Sequence, residues 1–244
     1  MNVRNQHIRS LPARFWYWHL VLPIALFLFA TAVFERSNID LYLADRFFDF
    51  STGQWPARES WWAEWLIHKR GKDLIVLITS GALLLWLGSF RWERLQRYRW
   101  LALYLALAIV ISTSIVTTGK KLIGKHCPWD LNRYGGSVPY TKLLEELPPG
   151  CRPGNCFPAG HAAGGFAIMA GYFVWRDRQR RIAQSWLAAG LLLGSIYGYG
   201  QMARGAHFLS HNNWSAIICW LTALTLYLAM RRFLVVDSTQ QTDH

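Results

Sequence analysis

The stretch WLALYLALAIVISTSIVTTG (residues 100–119), which runs into Lys120 and Lys121, decides the fold of this chain. It carries no charged side chain and is long enough to cross a lipid bilayer as an α-helix. A helix that is apolar on all its faces is typical of a membrane span, because a surface helix of a soluble protein has a polar face. We therefore predict a membrane helix that ends at two lysines.

Similar apolar stretches recur along the 244 residues, which are 52% hydrophobic and only 16% charged. They lie at 15–34, 73–90, 158–175, 182–200 and 214–230. Together with the stretch at 100–119 they predict an all-α fold, a bundle of six transmembrane helices. Within it we expect a first transmembrane helix at 15–34 and a catalytic helical core with the other five at 73–230.

Basic residues give the chain a formal net charge of +12 and occur in short runs between the apolar stretches. The runs are Arg91, Arg94, Arg97 and Arg99; Arg176, Arg178, Arg180 and Arg181; and Arg231 and Arg232. A nucleic-acid-binding protein would gather such residues on one exposed face, so we expect no nucleic-acid partner. Six spans place all the runs on one side. The positive-inside bias then predicts cytoplasmic tails at 1–14 and 231–244.

The segments 35–72, 120–157 and 201–213 fall on the opposite, extracytoplasmic face, where we place the active site. The first of them carries four tryptophans: Trp55, Trp61, Trp62 and Trp65. We expect an interfacial segment whose tryptophans lie at headgroup level. A role in admitting a lipid substrate is the alternative.

The cysteines fit an oxidising compartment on that face. Cys151 and Cys156 flank Arg-Pro-Gly-Asn, a turn-prone sequence that favours a disulfide between them, while Cys127 is a competing partner. Cys219 lies within a span and is expected to be a small buried side chain. The chain has no Cys-x-x-Cys pair, and its histidines lie among small apolar and amide residues, so we expect no metal site.

The sequence Pro158-Ala159-Gly160-His161 has the features of a helix start that binds an anion. Proline suits the first turn, the amide groups after it are unpaired, and the helix dipole favours negative charge. Glycine lets the backbone approach a phosphoryl oxygen, and His161 is placed to protonate a leaving oxygen. An ordinary helix start with an interfacial histidine is the alternative.

The segment GAHFLSH (residues 205–211) contains two histidines four residues apart, which share one face if the region is helical. His211 can accept a hydrogen bond from the ring of His207 and leave the other ring nitrogen free to attack phosphorus. Arg204 lies close enough to bind the same phosphate. A metal-binding or packing pair of histidines is the alternative.

The ordered set of these features resembles the membrane-bound type 2 phosphatidic acid phosphatase family, whose motifs are Lys-x6-Arg-Pro, Pro-Ser-Gly-His and Ser-Arg-x5-His-x3-Asp. Here Lys120 precedes Cys127-Pro128, and Pro-Ala-Gly-His and the two-histidine segment follow in the same order. The resemblance covers roughly residues 70–230. It implies a six-helix phosphatase without a cofactor that acts through a phosphohistidine intermediate.

By position, the resemblance makes His207 the nucleophile and His161 the acid that protonates the leaving group and later activates water. His211 occupies the position of the residue that orients the nucleophile. The expected phosphate-binding positions are Lys120, Lys121, Cys127, Ala159, Gly160, Gln201 and Arg204.

Four residues depart from the family motifs. They are Cys127 for arginine, Ala159 for serine, Gln201 for arginine and His211 for aspartate. The lost arginines matter most, because positive charge stabilises a phosphoryl transition state. Arg204 is the first candidate to restore that charge, and the others are Lys121, Lys125 and Arg133.

The motifs and the resemblance together predict an integral membrane phosphatase that hydrolyses a lipid phosphate or diphosphate on the extracytoplasmic face, with a bacterial inner membrane as its expected setting. Undecaprenyl diphosphate, phosphatidylglycerol phosphate, phosphatidic acid and lipid A are candidate substrates that the sequence does not rank. A lipid phosphotransferase with the same intermediate and a non-catalytic lipid-phosphate-binding protein are the alternatives. The expected partners are membrane lipids and the lipid phosphate, and the oligomeric state is left open.

Overall fold

The computed structural model describes residues 10–236, which form helices and loops without a β-strand. The main helices are α1 (Ala13–Arg36), α2 (Ile39–Asp45), α3 (Trp61–Gly88), α4 (Arg99–Ile123), α5 (160–175), α6 (Arg180–Ala203) and α7 (Leu209–Val236). Short helical turns occur at Glu93–Gln96, Pro128–Asp130 and Asn132–Tyr134. The all-α prediction is confirmed. The predicted tails at 1–14 and 231–244 lie largely outside the described residues.

Within residues 10–236, four helices are long and apolar enough to cross a membrane. They are Ala13–Arg36, Trp61–Gly88, Arg99–Asp130 and Leu209–Leu234. The stretches predicted as spans at 158–175 and 182–200 form the helices α5 and α6, which are not among these four. The membrane character of four helices is therefore supported by length and composition, and the count of six spans stays a prediction.

Helix α5 lies inside the bundle, packed against α4, α6 and α7. Its inner faces carry small side chains, and Ala162, Ala163 and Ala170 are fully buried. At its crossing with α6, a Cβ on Gly165 would lie 2.5 Å from the backbone nitrogen of Gly194, so this approach requires glycine. The close crossing carries the start of α5 to the end of α6, where the two histidine motifs lie.

The basic turns meet at the end of the bundle opposite to the histidines. The guanidinium of Arg99 donates to the carbonyl of Ser89 at 2.7 Å, which closes the turn between α3 and α4. Arg178 donates to the carbonyl of Leu234, which ties the turn between α5 and α6 to the end of α7. Arg97 and Arg178 line one small cavity together with Leu234, so the first two arginine runs lie near each other and near the end of α7.

A cap of loops and the short helix α2 covers the histidine end. Its hydrophobic cluster consists of Ala44, Phe48, Trp55, Leu131, Tyr134 and Phe208. The side chain of Asp45 joins both halves of the cap, because it accepts from the Arg133 guanidinium at 2.7 and 2.8 Å and from the Tyr134 hydroxyl at 2.8 Å. The Arg133 guanidinium also holds the pKa of the Asp45 carboxyl below its usual range.

The segment 35–72, expected to be interfacial, is divided between this cap and helix α3. Helix α3 begins at Trp61, well before the span predicted at 73–90, so residues 61–72 of the segment are the first part of α3. Trp55 is buried, whereas Trp61, Trp62 and Trp65 are exposed. Trp55 is buried because its indole packs against Gly205, a contact that helps to hold the cap on the bundle.

A disulfide joins Cys127 to Cys156, and Cys151 is a free thiol. The expected pairing of Cys151 with Cys156 is therefore wrong, and the competing partner is the correct one. The backbone explains the choice: residues 154–156 run beside 124–125, with the Gly154 amide donating to Gly124 at 2.7 Å and the Cys156 amide donating to Lys125 at 3.0 Å. The disulfide thus ties the end of α4 to the start of α5.

This pairing predicts the reactivity of the four cysteines. In native protein without reductant we expect a maleimide to label Cys151, which is partly exposed, while the buried Cys219 reacts only after denaturation. Cys127 and Cys156 should react only after reduction, as peptide mass spectrometry would show. A cross-linked peptide that contains Cys151 would contradict the structure.

Candidate active site

The end of α4 delivers Lys120 to the start of α5. Helix α4 packs directly on the proline of the second motif, where a Cβ on Gly119 would lie 3.1 Å from Cδ of Pro158. The lysine side chain then lies over Gly160: a Cβ on that glycine would be 3.6 Å from the Lys120 Nζ. The predicted lysine and the predicted backbone turn are therefore neighbours.

His161 lies in the first turn of α5, with one ring nitrogen unused. Its Nε2 is buried and has no hydrogen-bond partner among residues 10–236. The imidazole instead stacks on the ring of His68, with 4.1 Å between ring centroids and an interplanar angle of 30°. A buried polar atom without a partner is costly, which makes Nε2 available to a bound ligand.

The two backbone amides predicted to bind phosphate have different surroundings. The Ala159 amide points to the carbonyl of His211 at 3.4 Å. Gly160 is the first residue of α5, so its amide has no acceptor within the helix.

A tight turn between α6 and α7 presents His207. Gly205 has a φ of +73°, and a Cβ there would lie 2.4 Å from Cε2 of Trp55, so both conformation and space require glycine. The Ala206 amide donates to the Gln201 carbonyl at 2.9 Å, which closes the turn. The carboxylate of Asp40 accepts from the Ser210 amide at 3.0 Å and so fixes the start of α7.

His207 and His211 face each other through their Nδ1 atoms, which are 3.2 Å apart. Both side chains are buried. One Nδ1 donates and the other accepts, and if His207 is the donor its Nε2 keeps a free lone pair. Burial, with the nearby Lys120 charge, lowers the pKa of His207 well below its usual value, so this imidazole is neutral at pH 7.

Arg204 is buried and committed to protein partners. Its guanidinium forms an ion pair with Glu64, its Nε donates to the carbonyl of Arg58 at 3.1 Å, and its Nη1 donates to Oε1 of Gln201 at 3.3 Å. The amide nitrogen of Gln201 in turn lies 3.2 Å from Nδ1 of His68. Arg204 therefore reaches the two stacked histidines through Gln201.

The other predicted cations are exposed or bonded to other protein groups. Lys121 is exposed, Arg133 is held by Asp45 in the cap, and the Lys125 ammonium donates to the carbonyls of Lys142 and Glu145. Cys127 offers no charge, since its sulfur is in the disulfide. Lys120 and Arg204 therefore lie near the histidines, and Lys125, although its ammonium is bonded to these carbonyls, lines a small cavity together with His211.

Sequence reasoning missed Glu64 and His68, which the first turns of α3 carry into the site. These turns, Trp61–Arg70, are wound as a π-helix. A Cβ on Gly200 would lie 2.7 Å from Cγ2 of Ile67, so a glycine on α6 lets α3 approach closely. The signal in the sequence is a glutamate and a histidine four residues apart. They lie among tryptophans that by themselves indicate only a membrane-surface segment.

A possible metal-ligand set also occurs in the site. Donor atoms of Cys156, His207 and His211 lie within 4.8 Å of one another. The Cys156 sulfur is bonded to Cys127 and offers no thiolate while that bond is intact. The Sγ atom of Cys156 packs 3.5 Å from Nδ1 of His207.

A groove of about 540 Å³ leads from the site along the bundle between α3 and α4. Its site end is lined by Lys72, Lys120 and His161, and the rest of its wall is mainly apolar. The apolar part includes Ile75, Val76, Ile109 and Val110, with the hydroxyls of Thr79, Ser80, Thr113 and Thr117 between them. The groove can therefore take a molecule with a charged head and a long apolar tail.

The sequence profile of the PAP2 superfamily matches residues 97–234. No curated protein and no solved structure matches the chain. The matched region begins just before α4 and ends in α7, so it contains Lys120, His161 and His207. It does not contain His68.

We expect kcat/KM for phosphate ester hydrolysis to show an acid limb, that is, to fall as the pH is lowered. The limb should lie below pH 6.5, because the pKa of His207 is depressed from that value. A negative charge at position 211 would raise the pKa of His207, so the variant His211→Asp should move the limb to higher pH. The measurement is kcat/KM against pH for both proteins. A wild-type limb at or above the ordinary histidine value, or identical limbs, would contradict this coupling.

Proposed function

The chain belongs to the PAP2 superfamily, whose members generally hydrolyse phosphate esters, and from that premise we propose that it removes phosphate from a lipid phosphate or diphosphate in a bacterial inner membrane. In this proposal a phosphohistidine forms at His207. The groove that joins the histidines to an apolar wall is the observation that carries the choice of a lipid.

The first step in the proposal is attack by Nε2 of His207 on phosphorus. The hydrogen bond between the two Nδ1 atoms supports this choice of nitrogen, since a proton on Nδ1 of His207 leaves the lone pair on Nε2. His211 accepts that proton's hydrogen bond and holds the ring in position. The phosphorus–oxygen bond to the lipid breaks as the phosphorus–nitrogen bond forms.

In the proposal His161 carries a proton on Nε2 when the phosphate is bound, gives that proton to the leaving oxygen, and then acts as the base. Its unpartnered Nε2 supports this role, since a leaving oxygen at that position would complete its hydrogen bonding. In the second step water attacks the phosphohistidine and gives a proton to His161. Inorganic phosphate leaves, and His207 returns to its neutral form.

Positive charge around the phosphoryl group comes from Lys120 and from the start of α5, with Lys72 at the groove mouth. Such preorganised charge is usually the largest catalytic contribution in phosphoryl transfer. The proposed chemistry uses no metal ion.

The proposed orientation places the histidine end outside the cytoplasm. The arginine-rich turns at the opposite end support it, because cytoplasmic loops carry an excess of arginine and lysine. Both termini are then cytoplasmic, and a lipid in the outer leaflet can enter the groove sideways between α3 and α4.

The test is phosphate release by detergent-purified protein from the four candidate lipids and from water-soluble p-nitrophenyl phosphate, in the presence of chelator. We expect release from at least one lipid, and loss of at least about 10³-fold in His207→Ala, because removal of a nucleophile leaves only the binding contributions. The variant His126→Ala is the control, since His126 lies outside the proposed phosphate contacts. Transfer of phosphate to a second lipid without release would favour the phosphotransferase, and folded protein with neither activity would reject catalysis.

A groove variant separates a lipid from a soluble substrate. Val110→Trp places an indole in the groove, whereas Ile115→Trp places one on an exposed part of the same helix outside it. We expect Val110→Trp to raise KM for the lipid about tenfold or more and to leave hydrolysis of p-nitrophenyl phosphate unchanged, with Ile115→Trp like wild type in both assays. Equal effects of the two variants on the lipid would contradict the role of the groove.

A further inference from the structure

The chain Glu64–Arg204–Gln201–His68 determines which nitrogen of His68 carries its proton. The Arg204 guanidinium can only donate, so the atom of Gln201 that faces it at 3.3 Å must be the amide oxygen. The amide nitrogen of Gln201 then faces Nδ1 of His68 at 3.2 Å and donates to it. Because Nδ1 accepts, the proton of the neutral ring is on Nε2.

The same series of side-chain contacts positions the His68 ring and its N–H group. His68 stacks on His161 at 4.1 Å between ring centroids, and Lys72, one turn further along α3, lines the groove beside His161. The Glu64 carboxylate neutralises Arg204 and anchors the far end of the chain. The result is a ring donor that Gln201 holds at Nδ1 and that packs against His161, the residue whose Nε2 has no partner.

Position 201 is one of the two places where the family motif has arginine and this chain does not. Glutamine carries no charge, and Arg204 is already paired, so neither side chain offers the phosphate what the missing arginine would. The Gln201 amide instead orients a histidine from α3. That histidine lies outside the region matched by the superfamily profile.

We propose that His68 is a further catalytic residue whose Nε2–H donates to a phosphoryl oxygen of the substrate, in the role of the arginine absent from position 201. This inference rests on the proposed function, because it names a contact to the phosphoryl group at that site. Packing against His161 alone is the competing role for the ring. A phenylalanine at position 68 would keep the ring packing but lose the N–H donor, so it distinguishes the two roles.

The experiment compares His68→Phe, which keeps a ring against His161, with His68→Gln, which keeps an amide donor. Trp65→Phe, an exposed position on the same helix, is the matched control. We expect His68→Phe to lower kcat for phosphate release about 10²-fold, as for loss of one preorganised donor, and His68→Gln to keep at least about a tenth of the wild-type rate. Size-exclusion elution and thermal unfolding in detergent report on folding.

Binding of orthovanadate, a mimic of the transferring phosphoryl group, gives a second readout by isothermal titration calorimetry. His68→Phe should weaken it about tenfold or more, and Trp65→Phe should leave it unchanged. Wild-type rate and wild-type vanadate affinity in folded His68→Phe would overturn the inference while the phosphatase stands. Without phosphate release from the wild type the proposed function fails, and the vanadate titrations alone then decide whether His68 contacts the anion.

Discussion

The hydrogen bond between Nδ1 of His207 and Nδ1 of His211 is the interaction on which the site depends. It holds two buried imidazoles together, and with the shared proton on Nδ1 of His207 it leaves the lone pair of Nε2 free. A carboxylate at position 211 would make His207 more basic, whereas an imidazole only orients it. The turn at Gly205 fixes one end of the short segment that carries the pair, and the hydrogen bond from the Ser210 amide to Asp40 fixes the other end.

The departures from the family motifs are connected in space. At position 127 a disulfide to Cys156 replaces a charged side chain and ties the first motif to the second. At position 201 an uncharged amide accepts a hydrogen bond from Arg204 and donates one to His68. In the proposed site, positive charge around the phosphoryl group therefore comes from fewer groups, and the disulfide and hydrogen bonds hold their neighbours in place. Preorganisation of this kind lowers the reorganisation that catalysis requires.

The sequence predicted the elements that depend on local pattern and left open those that depend on tertiary approach. Apolar length predicted the helices, and motif order predicted that Lys120, His161 and His207 would meet, because such signals are read along the chain. The disulfide partner depended on two backbone segments running side by side, which spacing cannot show. His68 was missed because its site contact comes from the packing of α3 on a glycine of α6.

The most direct test of the account is to trap the covalent intermediate. The wild-type protein would be mixed with a lipid phosphate labelled in its phosphoryl group, quenched in alkali within one turnover, and mapped by peptide mass spectrometry. The account predicts an alkali-stable, acid-labile phosphate on His207, and none on the protein in His207→Ala. Label on another residue, or rapid phosphate release with no label on the protein in any quench, would contradict the central role given to His207.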